Sequence, residues 1–522
     1  LKKKFFAALL SAGLMCSLSS NSYILNPTVC EAAAMQSYDL NFDSTIGVEK
    51  TLNYEGRQIK FVAYENIVYV KNPASVERQS LSIFIPAEYL TGGEINGYTA
   101  KTAPIFMPNG VGGYMPGDIK APSEQDFMSK SANASLVALS RGLVVVSPAI
   151  RGRTTVENNV YVGKAPALIV DYKAAVRYLR HNKNNLPAGD TEKIISNGTS
   201  AGGALSAALG SMGNAPEFEK YLQEIGAADE RDDIFASSDY CPITNLDNAD
   251  KAYEWIFYGE NKYYQAMWQI QDLEARGMRK PSGDKPVKVD ADSANNPTAS
   301  SVAVDMTAEE IAISKPLRDA FPAYVNSLKL RDEHGQLLTL DKSGNGTFKD
   351  YIKSKYIESA QVAIVEGKKV SADWLTIKNN KVLDADLSKY PAAVTRMKAA
   401  PAFDKMDLSS AENDEFGTSQ NQPKHFSDVV QNISGGDLAD AEVIKIMNPL
   451  NFIGRSDVTV AGHFRIRHGA ADRDTSLAVP AILALKLQNS GVDVNFFSPW
   501  GIGHAGDYDL EQLFDWIDSI CK

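Results

Sequence analysis

Apolar and polar positions follow two alternating rhythms through the first half of the chain. Short apolar or β-branched runs at 59–64, 67–70, 81–85, 103–107 and 143–147 read as strands, with Asn72-Pro73 as a breaker. The run at 143–147 is apolar nearly throughout, which suits a parallel strand buried on both faces. A helical stretch falls at 132–140, and Leu168, Tyr172, Ala175, Val176 and Leu179 occupy one face of another helix. A strand at 193–197, a helix of small residues at 203–209 and a strand at 234–238 continue the series. Strands alternating with amphipathic helices predict a parallel α/β sheet.

The rhythm is lost between 245 and 447. This stretch is charged and irregular, with a patchy helix at 251–271 and connectors at Lys280-Pro281-Ser282-Gly283 and Ser343-Gly344-Asn345-Gly346. It is too long for a loop and predicts an inserted cap domain. The sheet pattern resumes at 463–468, followed by a helix at 476–489 and a strand at 493–497. A closing helix carries Leu510, Leu513, Phe514, Ile517 and Ile520 on one face. The expected organisation is a leader at 1–34, a first core segment at 35–244, the cap at 245–447 and a second core segment at 448–522. No internal repeat is found.

Gly198-Thr199-Ser200-Ala201-Gly202 lies between the 193–197 strand and the helix after it. A Gly-x-Ser-x-Gly turn in that context is a nucleophile elbow, which lifts the serine above the sheet and aims a helix N-terminus at developing negative charge. The expected fold is therefore the α/β-hydrolase fold with a large inserted cap. A serine hydroxyl needs a base, itself oriented by a carboxylate, and in this fold the acid and then the histidine follow the serine. Of the six histidines, His181 precedes the elbow, His334 and His425 lie in the insertion, and His463 and His468 bracket a strand. His504, in a glycine-flanked loop after the last strand, is the expected base. Asp472 and Asp474 both lie in the loop after the preceding strand, and position alone leaves the acid open between them. The oxyanion hole is expected from the N–H of Ala201 and one from the loop Asn109-Gly110-Val111-Gly112-Gly113, with Gly112 as the donor. That loop does not meet the G-x-G-x-x-G dinucleotide spacing, and H-E-x-x-H and C-x-x-C spacings are absent, so no cofactor or metal is expected.

Composition changes this picture little. The formal net charge of −11 argues against nucleic-acid or anionic-membrane partners. Lys2-Lys3-Lys4, an apolar stretch at 5–18 and Ala32-Ala33-Ala34 read as a secretory signal peptide cleaved near Ala34–Met35, placing the mature protein outside the cytoplasm. Cys16 follows the bulky Met15, which disfavours lipidation. Cys16 and Cys30 fall in the leader, leaving Cys241 and Cys521, which are expected as buried free thiols rather than a disulfide framework.

Three stretches carry a family resemblance: 198–206, 467–476 (Arg467-His468-Gly469-Ala470-Ala471-Asp472-Arg473-Asp474-Thr475-Ser476) and 499–510. Through them the chain resembles the bacterial tannases, α/β-hydrolase serine esterases with a large cap that cleave galloyl esters. The resemblance implies that Asp472 is the triad acid with Ser200 and His504, that Asp474 faces the galloyl ring, and that Lys398 and Glu412 also bind the ring. Fungal-type tannases place cysteines beside the serine and histidine, where this chain has Thr199 and Gly503. The resulting expectation is a secreted, monomeric esterase that releases gallic acid from alkyl gallates and hydrolysable tannins. The nearest rival is a feruloyl or other hydroxyaryl esterase on the same scaffold. A serine peptidase and a non-catalytic binding protein are more distant readings.

Overall fold

The computed structural model describes residues 37–126, 130–266 and 301–522. The expected leader, its cleavage site and the 280–283 connector lie outside the described residues. Residues 37–522 form one compact unit.

A nine-stranded sheet organises it. In chain order its strands are β1 (Val48–Tyr54), β2 (Arg57–Val68), β3 (Ser80–Pro86), β4 (Pro104–Pro108) and β5 (Val144–Pro148), then β6 (Asp190–Thr199), β7 (Ala236–Tyr240), β8 (His463–Arg467) and β9 (Asp493–Phe497). Their spatial order is β1-β2-β3-β5-β4-β6-β7-β8-β9. The pairings from β1 to β5 are antiparallel, and those from β5 to β9 are parallel. β3, β4, β5 and β7 are buried along their whole length. Both faces of these strands are covered, which is why β4 and β5 run apolar almost throughout, whereas β7 buries Ser237, Ser238 and Asp239.

The two expected runs at 59–64 and 67–70 are one strand, β2, whose register shifts between Tyr64 and Ile67. Asn66 sits there at a positive φ of 61°, a conformation asparagine tolerates better than most residues. β1 pairs in full with β2 and was not predicted, because its half-exposed positions give no clear apolar run.

Helices α1 (Ala134–Ser140), α2 (Ala167–His181) and α3 (Ala201–Ser211) flank the sheet within the first segment. α2 is buried from Ala167 to Arg180, so its charged residues need partners inside. Asp171 meets Arg151 at 2.7 Å, and Lys173 meets Asp232 at 2.6 Å.

Among the described residues, 241–462 contribute no strand to the main sheet. Here α4 (Leu246–Phe257) ends well before the predicted helix does, and the chain turns into a strand at Lys262–Ala266 that pairs with Ser301–Asp305. The long helices α5 (Ala308–Leu328) and α6 (Thr347–Val365) follow. Pro316 and Pro322 inside α5 obscured it in the sequence. What holds it is Ile313, Leu317, Phe321 and Val325, buried at four-residue spacing, and a capping box between Thr307 and Glu310. A short helix, α7 (Ala411–Glu415), lies later in the insertion. Helices α8 (Ala478–Asn489) and α9 (Leu510–Cys521) then complete the core. No described helix is long and apolar enough to cross a membrane.

Candidate active site

The site forms at the carboxyl ends of the parallel strands, where connecting loops converge and ligands of such sheets bind. At the end of β6, Ser200 adopts φ 62° and ψ −123°. Such a backbone costs on the order of 1–3 kcal/mol and persists only where its surroundings impose it. They do so through contact. The Ser200 N–H donates to the Tyr240 carbonyl at 2.9 Å. A Cβ on Gly198 would lie 2.2 Å from the Gly202 carbonyl oxygen, so the turn closes only around glycine.

Two further loops close on the elbow in the same way. A Cβ on Gly506 would stand 1.8 Å from Thr199 Oγ1, and one on Gly469 would stand 2.1 Å from the Ile502 carbonyl oxygen. These close approaches pack the loop after β9 onto the serine turn and the loop after β8 onto the loop after β9. Tyr240 and Arg465 both hydrogen-bond Asp509, fixing the chain where it leaves the histidine loop.

The result is a continuous hydrogen-bonded chain. His504 Nδ1 lies 2.8 Å from Asp472 Oδ2, and His504 Nε2 lies 2.8 Å from Ser200 Oγ. An ionised carboxylate only accepts, so Nδ1 carries the proton and Nε2 is free to receive one from serine. Asp472 Oδ1 accepts the N–H groups of Asp474 at 2.8 Å and Thr475 at 3.2 Å. Burial pushes the Asp472 carboxyl up, but His504, His468 and these hydrogen bonds outweigh it and hold the group well below the usual range. Burial pulls His504 down, yet Asp472, Cys241 and Asp474 together carry it well above its ordinary value.

Asp474 turns the other way. Its Oδ1 lies 3.0 Å from Lys398 Nζ, 3.3 Å from Thr475 Oγ1 and 3.9 Å from His504 Nε2. The two aspartates left open by sequence position thus separate by geometry: Asp472 faces Nδ1, and Asp474 lies on the Nε2 side of the ring. Lys398 also stands 4.1 Å over the Phe403 ring. Burial lowers the Lys398 pKa, but the Asp474 and Glu412 charges outweigh it and the net shift is upward. Asp474 is held down by Lys398 against its own burial. Glu412, on α7, is raised by burial although Lys398 pulls against that shift.

The insertion is tied to the core by residues that the sequence did not single out. Tyr253 on α4 donates to the Arg473 carbonyl at 2.9 Å and accepts the Lys398 N–H at 3.2 Å, joining the lysine segment to the aspartate loop. Beneath it, Arg396 and Glu254 form a fully buried ion pair, and Arg396 Nε donates to the Lys398 carbonyl at 2.5 Å. Arg153 and Lys164, from the core, grip Asp414 on α7 at 2.7 and 2.5 Å.

Asn109 sets the other wall. Its Nδ2 donates to the carbonyls of Asn197 at 3.1 Å and Gly202 at 3.0 Å and contacts Ser206 Oγ at 3.1 Å, while Oδ1 accepts the Val111 N–H at 3.1 Å. This clasp lays the Gly112 loop against the start of α3, beside Ala201. Ala201 is the first residue of α3, so its N–H has no partner within the helix. Cys241, at a positive φ of 36°, places its Sγ 3.9 Å from His504 Nε2. Cys241 and Cys521 are both free and buried.

A family model designated BD-FAE matches residues 101–276. No curated protein sequence matches significantly. Among solved structures, the tannase of Fusobacterium nucleatum is 48% identical, covering 93% of this chain and 100% of its own, with a TM-score of 0.84. The tannin acyl hydrolase of Lactobacillus plantarum is 44% identical over 92% of this chain and 99% of its own, with a TM-score of 0.83. A tannin acyl hydrolase solved in complex with ethyl gallate is 43% identical over the same shares, with a TM-score of 0.82. Identity at this level over nearly the whole chain places it in a family: it belongs to the tannases, carboxylic ester hydrolases of the α/β-hydrolase fold.

Proposed function

We propose that this chain hydrolyses galloyl esters through an acyl-enzyme on Ser200. The observation that carries the reading is the Ser200–His504–Asp472 chain, with the Lys398–Asp474 pair beside the same imidazole. Ser200 Oγ attacks the ester carbonyl carbon and passes its proton to His504 Nε2. Asp472 holds Nδ1–H in place and stabilises the imidazolium. The oxyanion is received by the N–H of Ala201 and by Gly112. Collapse of the tetrahedral intermediate expels the alcohol, which takes the proton from His504. Water then repeats the sequence on the acyl-enzyme and releases gallate.

The aryl group lies against the cap. The adjacent ring hydroxyls donate to Asp474 and Glu412, and Lys398 Nζ donates to a hydroxyl oxygen. Residues 245–447 act as the cap, and the leader at 1–34 directs export. We infer a monomer.

The deciding assay measures methyl gallate, methyl ferulate and a peptide substrate with wild type and Ser200→Ala. Gallate release that the variant abolishes supports the reading. Ferulate release at an equal or greater rate would instead assign a hydroxycinnamoyl esterase.

A further inference from the structure

The first residue after β8, His468, is a histidine that the proposed mechanism leaves unused. It is 1% exposed, and neither ring nitrogen makes a well-formed hydrogen bond, the backbone of Thr475 being its nearest polar neighbour besides Asp472. Its Nδ1 lies 3.6 Å from Asp472 Oδ2, the same oxygen that receives His504 Nδ1 at 2.8 Å. The other Asp472 oxygen already holds two backbone N–H groups. Two imidazoles therefore converge on one carboxylate oxygen, the first bonded and the second one small shift from bonding.

A buried imidazole without a well-formed hydrogen bond is costly, and an apolar side chain of similar volume would fill the same space without that cost. Packing alone does not account for histidine here. Burial holds the ring below its ordinary value despite Asp472 nearby, so it is neutral, with one N–H to donate. The ionisable groups facing it are Asp472, His504 and Asp474.

We propose that His468 is a positioning residue of the catalytic chain: its Nδ1–H faces the flank of Asp472 Oδ2, closes on it as charge develops on His504, and keeps that carboxylate aimed at His504 Nδ1. The same N–H draws charge from the carboxylate and so restrains the proton affinity of His504. This rests on the proposed Ser200–His504–Asp472 mechanism.

The test compares His468→Leu and His468→Asn with wild type on methyl gallate across pH, with Ser200→Ala in parallel and melting temperature recorded for each. The Leu variant is expected to keep its KM while kcat falls about 10- to 100-fold, the scale of a small misplacement. Without the restraining N–H the imidazolium of His504 is better stabilised, so the acidic limb of kcat/KM moves up by about half a pH unit. Asn, whose Nδ2 stands as many bonds from the backbone as Nδ1 of histidine and donates there, restores most of kcat and returns the limb. A Leu variant with wild-type kcat and an unmoved limb overturns the proposal. So does an Asn variant as impaired as Leu with an unmoved limb, which assigns packing alone. If Leu does not fold, the Asn limb is compared with that of His468→Gln, whose amide lies one bond further out, at the Nε2 position: a limb shifted only in Gln supports the proposal, and equal limbs overturn it. Failure of the underlying mechanism shows separately, as gallate release that survives Ser200→Ala.

Discussion

Lys398 Nζ, from the insertion, lies 3.0 Å from Asp474 Oδ1, on the loop that also supplies Asp472. The pair joins the proposed recognition groups of the cap to the hydrolytic groups of the core. Asp474 is only two positions beyond Asp472, so the proposed ring-binding and base-orienting carboxylates share one short loop.

Lys398→Ala removes a charged hydrogen-bonding partner, worth about 1.5–3 kcal/mol, or roughly 10- to 150-fold. It is expected to cut kcat/KM by that factor for methyl gallate and to leave methyl benzoate within about threefold, since benzoate offers no ring hydroxyl to lose. Equal losses on both esters would remove Lys398 from the ring site.

Asp474→Asn removes an anion 3.9 Å from His504 Nε2. His504 is protonated more readily because of its anionic neighbours, and the base works only when neutral, so activity is lost as pH falls through its pKa. Removing one anion lowers that pKa, and the acidic limb of kcat/KM on methyl benzoate is expected to move to lower pH. An upward shift would contradict the assigned electrostatics. The direction is opposite to that expected for His468→Leu.

Asn109→Ala strips the clasp of its bonds to Asn197, Gly202, Ser206 and Val111. Losing these buried hydrogen bonds costs about 2 kcal/mol, seen as a lower denaturant midpoint. With the Gly112 loop loosened, kcat is expected to fall by about 10²-fold with little change in KM, as when an oxyanion donor is lost. Unchanged kcat would dissociate this loop from the oxyanion hole.

Asp250, buried on α4, accepts the N–H groups of Phe403 and Asp404 at 2.8 and 2.9 Å. Burial, and then the neighbouring Asp404, push it up to about 7. The folded state therefore binds a proton between its ordinary value near 3.8 and about 7 that the unfolded state does not bind. Its contribution to stability is present at low pH and is lost as pH rises through about 7. Asp250→Asn stays neutral throughout, so its melting temperature relative to wild type is expected to climb between pH 5 and pH 8. A difference flat with pH would refute the assignment.

Much of the core was legible because its signals are local. β9 matches its predicted span, and β5 lies one residue from its own. Ser200 and His504 could be singled out because the elbow and the last-strand loop are defined by chain order and glycine spacing. The insertion was read poorly for a physical reason. Its helices are stabilised by packing against the core and tolerate prolines that local propensity counts as breaks, as α5 shows with Pro316 and Pro322.

Other parts had no local signal at all. His468 looked like a strand-end residue, and only the fold places it 3.6 Å from Asp472. Tyr253, Arg396 and Asn109 carry no motif, and their roles exist only through partners far away in sequence. Cys241 and His504 meet across 263 residues.

The sequence by itself determined the reaction type, because a strained serine turn with a base and an acid in fixed order is written in short, glycine-marked stretches. It also supported two aspartates for one acid role, and chain position could not choose between them. The family resemblance favours Asp472, and only the tertiary structure decided where each side chain faces, Asp472 toward Nδ1 and Asp474 toward Lys398. The physical reason is that hydrogen-bond direction and distance depend on where separate loops come to rest, and that is settled by packing between them.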